Sequence, residues 1–126
     1  MSATPFRQNI SGTSPYEPII GFSRAVRIGS VVHVSGTGPV GAEELSAAEQ
    51  THVALGLIEA ALTQAGATLE NVVRTRMFLA RAEDWEEIGR AHGEVFGAVR
   101  PASTMVIAGL LNPKWSVEIE AEAVLP

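Results

Sequence analysis

The chain has 126 residues, 46% hydrophobic and 18% charged, which is typical of a single soluble globular domain. Its formal net charge of -5, from 14 acidic and 9 basic residues, provides no basic surface for a phosphate backbone, so we expect no nucleic-acid partner. The absence of cysteine excludes disulfides, thiolate nucleophiles and iron–sulfur clusters.

Residues 1–20 are rich in Ser, Pro, Thr and Gly, a composition that predicts an irregular lead-in. They lack the charged and apolar regions of a secretory signal, and no apolar run in the chain approaches the roughly 20 residues that span a bilayer. We therefore expect a cytoplasmic protein without a membrane partner. Two β-rich runs follow near 23–28 and 31–37, and the Gly29-Ser30 pair between them favours a hairpin.

The spacing of the apolar residues and the positions of glycine and acidic residues predict the remaining elements. Apolar residues at helical spacing indicate a long amphipathic helix that ends near Gly66, and acidic residues at the start of a second helix suit its positive dipole end. The predicted segments are helices over 43–66 and 83–99, and strands over 71–80, 103–110 and 115–124. The order β-β-α-β-α-β-β predicts a two-layer α+β fold in one domain over 1–126, with both helices on one sheet face.

Charged residues mark the other sheet face. Glu118, Glu120 and Glu122 alternate with apolar residues along the last strand, and Arg74 and Arg76 alternate in the same way on another strand. If these strands are neighbours, we expect cross-strand ion pairs that each contribute about 0.2–1 kcal/mol. The face is then either solvated or a subunit interface with polar clefts.

Three motifs in fixed order connect the chain to a known family: "IGFSRAVRIGSVVHVSGTGPV", "RPASTMVIAGL" and "WSVEIEAEAV". With these motifs the sequence resembles the RidA/YjgF (reactive intermediate deaminase) family over nearly its whole length. The resemblance implies a chorismate-mutase-like α+β fold that assembles as a homotrimer. It also implies hydrolysis of reactive enamines and imines to a keto acid and ammonia, without a cofactor, at a site between subunits.

The resemblance carries several site residues onto this chain. Ser35 and Gly36 match the family's serine-glycine pair, with Thr37 following, and Glu118 matches the glutamate of the last strand. The position of the family's tyrosine is occupied by Phe22, which keeps the aromatic ring but has no phenol to hydrogen-bond a water or substrate.

Ser103 stands where the family has the arginine that clamps the substrate carboxylate. A serine supplies neither the permanent charge nor the two parallel hydrogen bonds of a guanidinium, and losing such a contact costs on the order of 2–5 kcal/mol. Arg24 and Arg100 are the nearest replacements, and Thr104 and Met105 join the expected substrate-binding set. The usual 2-imino acids are therefore not the expected substrates.

Imine hydrolysis needs a group that takes a proton from the attacking water, and a carboxylate whose pKa is raised by burial suits that role. Glu118 is the candidate, and its alternative role is a cross-strand partner of Arg74 or Arg76. Ser35 is a second catalytic candidate that hydrogen-bonds a substrate or water. Its alternative role is to satisfy local backbone at a strand end.

The three histidines do not have the spacing of a metal site. His33 lies in a predicted strand, and His52 and His92 lie on different helices, so no pair shows the i, i+4 spacing of helical zinc ligands. We expect no metal and no cofactor. For His92 the default expectation is a helix-surface histidine, and the alternative is a side chain that faces a subunit cleft.

Four functions are compatible with these features. The first is a trimeric Rid-like hydrolase for a reactive imine, enamine or related small molecule. The second is a trimer that binds a small molecule or regulates without catalysis. The third is a ribonuclease, an activity attributed to some members of the family, and the acidity of the chain argues against it. The fourth is a structural trimer with a vestigial cleft.

Overall fold

The computed structural model describes residues 6–126, which form one six-stranded sheet and two α-helices. The strands are β1 (Arg7–Ile10), β2 (Ala25–Ile28), β3 (Val31–Thr37), β4 (Val72–Leu79), β5 (Ala102–Ile107) and β6 (Val117–Val124), and the helices are α1 (Ala47–Gln64) and α2 (Trp85–Phe96). A π-helix covers Glu17–Gly21, and two short 3-10 helices cover Leu69–Asn71 and Ala82–Asp84.

The sheet order is β1-β2-β3-β6-β4-β5, and every pair is antiparallel except β4 with β5. Apolar side chains of β3, β4 and β6 pack against α1 and α2 on one face, where the fully buried residues include Val32, Ile58, Leu62, Leu79, Ile88 and Ile119. The predicted two-layer α+β architecture is confirmed. Neither helix among the described residues is long and apolar enough to cross a membrane.

Local sequence signals explain several boundaries. Gly29 has a φ of 56°, the left-handed value that a glycine-first hairpin turn requires. The first helix begins at Ala47, later than the predicted residue 43, because the Ser46 side chain accepts a hydrogen bond from the N–H of Glu49 in a capping box. Gly66, with a φ of 86°, follows the helix end as predicted.

The prediction that residues 1–20 are irregular was wrong in two places. Arg7–Ile10 forms strand β1, which pairs with β2 at the sheet edge, and Glu17–Gly21 forms the π-helix. The first strand carries only one buried residue, Ile10, so its sequence lacks the alternation that identifies a strand. Residues 1–5 of the predicted lead-in lie outside the described residues.

Two register shifts interrupt the sheet next to β6. On β4 the shift falls between Val72 and Arg74, and Val73 is exposed as a result. On β3 the shift falls between Val34 and Thr37, so three residue steps on β3 oppose two on β6. This bulge takes Ser35 and Gly36 out of the regular pairing with β6, and such irregularities re-aim the chain near functional sites.

Candidate functional site

The glutamates of β6 line the open face of the sheet. Val117 and Ile119 are fully buried on the helix side, so the alternation of the strand directs Glu118, Glu120 and Glu122 to the opposite face. Nη1 of Arg76 is 3.1 Å from Oε1 of Glu120 and 3.0 Å from Oε1 of Glu122. The predicted cross-strand pairs are confirmed for these two glutamates.

Glu118 has different surroundings from the other two glutamates. Its partner in the β4 register is Phe78, an apolar residue, and its carboxylate lies over Gly36. A Cβ atom added to Gly36 would overlap with Oε2 of Glu118, so only a glycine leaves room for the carboxylate in this position. The β3 bulge and the missing side chain together create the space that Glu118 occupies.

The electrostatics of Glu118 suit a general base. Burial raises the pKa of Glu118 above its ordinary value, Arg24 opposes that rise, and Glu120 adds to it. A carboxylate with a raised pKa holds an abstracted proton more readily than an exposed one, and it remains ionised at pH values above that pKa. The arrangement therefore gives Glu118 the properties that water activation requires.

The side chain of Arg24 lies near the carboxylates of Glu17 and Glu118 and bonds to the backbone of the β3 bulge. Its Nη2 donates a hydrogen bond of 2.5 Å to the carbonyl of Gly36, and its Nε atom is buried and has no hydrogen-bond partner within residues 6–126. Burial lowers the pKa of Arg24, whereas the carboxylates of Glu17 and Glu118 raise it. Glu17 is fixed in turn by the N–H of Gly12, which donates to Oε1 at 3.1 Å and to Oε2 at 3.0 Å. Arg24 thus supports the bulge through one N–H of its guanidinium.

The serine and threonine of the bulge bond to backbone carbonyls. Ser35 Oγ donates to the carbonyl of Ser23 at 2.6 Å, the role considered as the alternative in the sequence analysis. Thr37 is 2% exposed, and its hydroxyl donates to the carbonyl of Ser35 at 2.8 Å. Thr37 therefore fixes the segment beneath the site. Phe22 is half-buried at the end of the π-helix, and its N–H bonds to the carbonyl of Glu17.

A pocket of about 280 Å³ adjoins the Glu118 carboxylate. Its lining consists of Gly36, Phe78, Ala108, Gly109, Leu110, Leu111, Glu118 and Glu120. One wall is therefore apolar and the other carries two carboxylates. Such a pocket accepts a small molecule with an apolar part and a polar reacting group.

The remaining predicted site residues lie on β5, at the sheet edge, with β6 and β4 between them and Gly36. Ser103 is directed to the helix side, where its Oγ lies 2.8 Å from Oγ1 of the fully buried Thr75. Met105 shares that face and approaches Gly89 of α2, whereas Thr104 is the register partner of Arg76. A single chain therefore brings Arg24, Ser35, Gly36 and Glu118 together but leaves Ser103, Thr104 and Met105 apart from them.

The expectation that His92 is a helix-surface residue was wrong. The side chain is half-buried, its Nε2 lies 2.9 Å from Oγ1 of Thr75, and its ring packs at 4.8 Å from the ring of Phe96. Burial lowers the pKa of His92. The sequence carries a weak signal for this position, because His92 stands four residues before Phe96 and therefore on the same side of the helix.

Comparisons with known proteins agree with this architecture. The sequence matches the family described as Endoribonuclease L-PSP over residues 12–125. It is 40% identical over 98% of its length to an uncharacterized protein of Streptomyces coelicolor, covering 95% of that protein. It is 32% identical over 89% of its length to the 3-aminoacrylate deaminase RutC of Acinetobacter baylyi, covering 91% of that protein.

A solved structure shares the fold closely. A YjgF family member from Mycobacterium tuberculosis superposes with a TM-score of 0.88 at 46% identity, over 94% of this chain and 99% of that one. The fold and the open-face pocket thus define a small two-layer α+β protein of the chorismate-mutase-like type. The chain belongs to the RidA/YjgF family.

Proposed function

We propose that this protein is a Rid-like hydrolase that converts a reactive imine or enamine to a carbonyl compound and ammonia without a cofactor. The observation that carries the proposal is the Glu118 carboxylate, which lies over Gly36 in a half-apolar pocket with its pKa raised by burial. The similarity to a 3-aminoacrylate deaminase supports the reaction class. A homotrimer in the cytoplasm is part of the same proposal.

The proposed reaction needs one proton acceptor and one water. Glu118 takes a proton from the water as its oxygen bonds to the C=N carbon, and the electron pair of the C=N bond goes to nitrogen. The nitrogen gains the proton that Glu118 took from the water and then the remaining proton of the added hydroxyl, which Glu118 transfers, and it leaves as ammonia while the carbon–oxygen double bond forms. The sum is R₂C=NH + H₂O → R₂C=O + NH₃. An enamine enters the same sequence through its imine tautomer.

The positions of Ser103 and Glu118 support a site shared between subunits. Ser103 lies on the edge strand and faces the helix side, whereas Glu118 faces the open side two strands away. A cleft that contains both residues therefore requires a second copy of the chain. Closed symmetric assemblies bring such different patches together, and a homotrimer provides three equivalent clefts.

The test uses imines that lack a carboxylate, because Ser103 stands at the carboxylate-binding position. A flavin amine oxidase releases benzaldimine from benzylamine, and added protein should accelerate the appearance of benzaldehyde and ammonia. Glu118→Gln should reduce this rate by about 10²- to 10⁴-fold. Glu122→Gln is the matched control, because Glu122 occupies the same strand and face but is paired with Arg76. If the wild-type protein leaves imines with and without a carboxylate at their uncatalysed rates, the proposal fails.

A binding protein without catalysis is the second candidate. The observations that favour it are the Ser35 hydroxyl, which is used by the Ser23 carbonyl, and the Arg24 guanidinium, which is used by the Gly36 carbonyl. A keto or amide ligand that raises the melting temperature while no imine is hydrolysed would support it. Ribonuclease activity is tested by incubating nuclease-free protein with RNA, and the net charge of -5 leads us to expect intact RNA.

A further inference from the structure

Three side chains from three different elements form one hydrogen-bonded chain. His92 Nε2 on α2 lies 2.9 Å from Thr75 Oγ1 on β4, and the same oxygen lies 2.8 Å from Ser103 Oγ on β5. Thr75 is fully buried, whereas Ser103 is exposed. The chain of bonds therefore runs from the helix layer, along the helix-facing side of β4, to an exposed hydroxyl on the edge strand β5.

The proton count couples the directions of the two bonds. Thr75 has one hydroxyl proton and, among the described residues, these two hydrogen-bonding neighbours. Because a buried hydroxyl proton needs an acceptor, Thr75 donates to one neighbour and accepts from the other. If Ser103 donates to Thr75, then Thr75 donates to His92, and Ser103 offers only lone pairs to a ligand. If His92 donates to Thr75, then Thr75 donates to Ser103, and Ser103 offers its proton. Whether His92 Nε2 carries a proton thus decides, through the hydroxyl of Thr75, whether Ser103 donates a hydrogen bond to a ligand or accepts one from it.

The region around Ser103 carries little fixed charge. Strand β5 has no charged residue, and Arg74 and Arg76 project from the face of β4 opposite to Thr75. Burial lowers the pKa of His92, which keeps the imidazole neutral near pH 7. A carboxylate in this position would find no permanent cation from β4 or β5, whereas an uncharged carbonyl, amide or hydroxyl would find a hydrogen-bonding partner of either polarity.

We propose that Ser103 is a specificity-determining residue, oriented by Thr75 and His92, that recognises an uncharged polar group of the substrate in place of a carboxylate. Thr75 and His92 are positioning residues that act through Ser103. The inference rests on the proposed function, since it names the substrate class of the same site. It predicts an imine or enamine that bears an amide, a ketone or a hydroxyl group.

Binding of two stable ligands that differ only in this group tests the inference without turnover. 2-Oxobutanamide and 2-oxobutanoate have the same carbon skeleton, with a carboxamide in one and a carboxylate in the other. The full-length wild-type protein should bind the amide more tightly, as measured by ¹H–¹⁵N NMR titration. Equal affinity, or tighter binding of the carboxylate, would overturn the inference.

Variants of Thr75 separate orientation from packing. Thr75→Val keeps the shape but removes both hydrogen bonds, and we expect it to weaken amide binding by about 3- to 10-fold without changing 2-oxobutanoate binding. Thr75→Ser restores the hydroxyl and should restore amide binding, which a merely structural role of the methyl group would not explain. Thr51→Val is the matched control, because Thr51 is also fully buried but its hydroxyl donates to the carbonyl of Ala47, within its own helix.

A second variant keeps the test decisive if Thr75→Val does not fold. Ser103→Ala alters an exposed residue and should give the same loss of amide binding. Unchanged amide affinity in Ser103→Ala contradicts the inference. The outcomes also separate the two proposals: Thr75-dependent amide binding in a protein that hydrolyses no imine contradicts only the proposed function. Imine hydrolysis by a protein that does not distinguish the two ligands contradicts only the inference.

Discussion

The two regions that carry the expected site residues are built in opposite ways. Around Glu118, charged groups crowd a bulge, and a glycine makes room for a carboxylate beside Arg24. Around Ser103, an uncharged chain of hydrogen bonds connects a surface hydroxyl to a buried threonine and a half-buried histidine. The first region is suited to proton transfer, and the second is suited to recognition of an uncharged group.

The comparison also shows what a single chain lacks. Strand β4 lies between β6, which carries Glu118, and β5, which carries Ser103, and the side chains of Glu118 and Ser103 face opposite sides of the sheet. Under the proposed function, catalysis and recognition therefore meet across a subunit boundary. The proposed shared site would use the exposed edge strand β5, to which the family resemblance assigns Ser103, Thr104 and Met105.

The largest expected effect comes from adding charge to the recognition region. Ser103→Arg should increase hydrolysis of 2-imino acids, generated with an amino-acid oxidase, by roughly 30-fold or more, because a guanidinium supplies a bidentate carboxylate contact. The same variant should gain nothing on benzaldimine, which has no carboxylate. If the wild-type protein already hydrolyses 2-imino acids as fast as the variant, the region around Ser103 does not discriminate against a carboxylate.

The next effect concerns the proton-transfer region and is read from the pH dependence of the rate. Because burial raises the pKa of Glu118, activity should increase as the pH rises through a midpoint above the ordinary glutamate value, where the carboxylate becomes ionised. Arg24→Gln removes an opposing charge and should move the midpoint upward. Glu120→Gln removes a neighbouring carboxylate and should move it downward. Midpoints that do not move in these directions would show that Glu118 does not control the rate.

The smallest effect is expected from the ion pairs between the two regions. Arg76→Met removes the contacts to Glu120 and Glu122, which are about one-third exposed, and should lower the free energy of unfolding only slightly, because solvent screens ion pairs at the surface. Benzaldimine hydrolysis should stay close to wild type, which is checked together with urea unfolding. If Arg76→Met lowers the rate of benzaldimine hydrolysis although the variant is folded under the assay conditions, Arg76 contributes to catalysis.

Much of the fold is predictable because its signals are local. Alternation along β6 identifies the buried and open faces, and Gly29 and Gly66 mark a turn and a helix end by their backbone freedom. The first strand was not predictable, because it contributes one buried residue and gains its hydrogen bonds only from β2. Sequence patterns do not contain that non-local pairing.

The sequence could predict which residues belong to the candidate site, but not how they are arranged. The resemblance selects Glu118, whereas its separation from the ion-paired glutamates depends on a register that places it opposite Phe78. The roles of Thr75 and His92 depend on the approach of α2 to the sheet edge, which no spacing in the sequence specifies. Tertiary geometry therefore decides which polar residues pair with each other and which remain available to a ligand.

Mixing of two variants tests most directly whether the two regions form one site across subunits. Glu118→Gln removes the base and Ser103→Trp blocks the recognition surface, so each protein alone should be inactive on benzaldimine. After the two are unfolded together and refolded in equal amounts, random assembly should restore about a quarter of wild-type activity, because that fraction of the clefts receives an intact residue from each neighbour. Activity that stays at the level of the separate variants would contradict a shared site and show that each chain works alone.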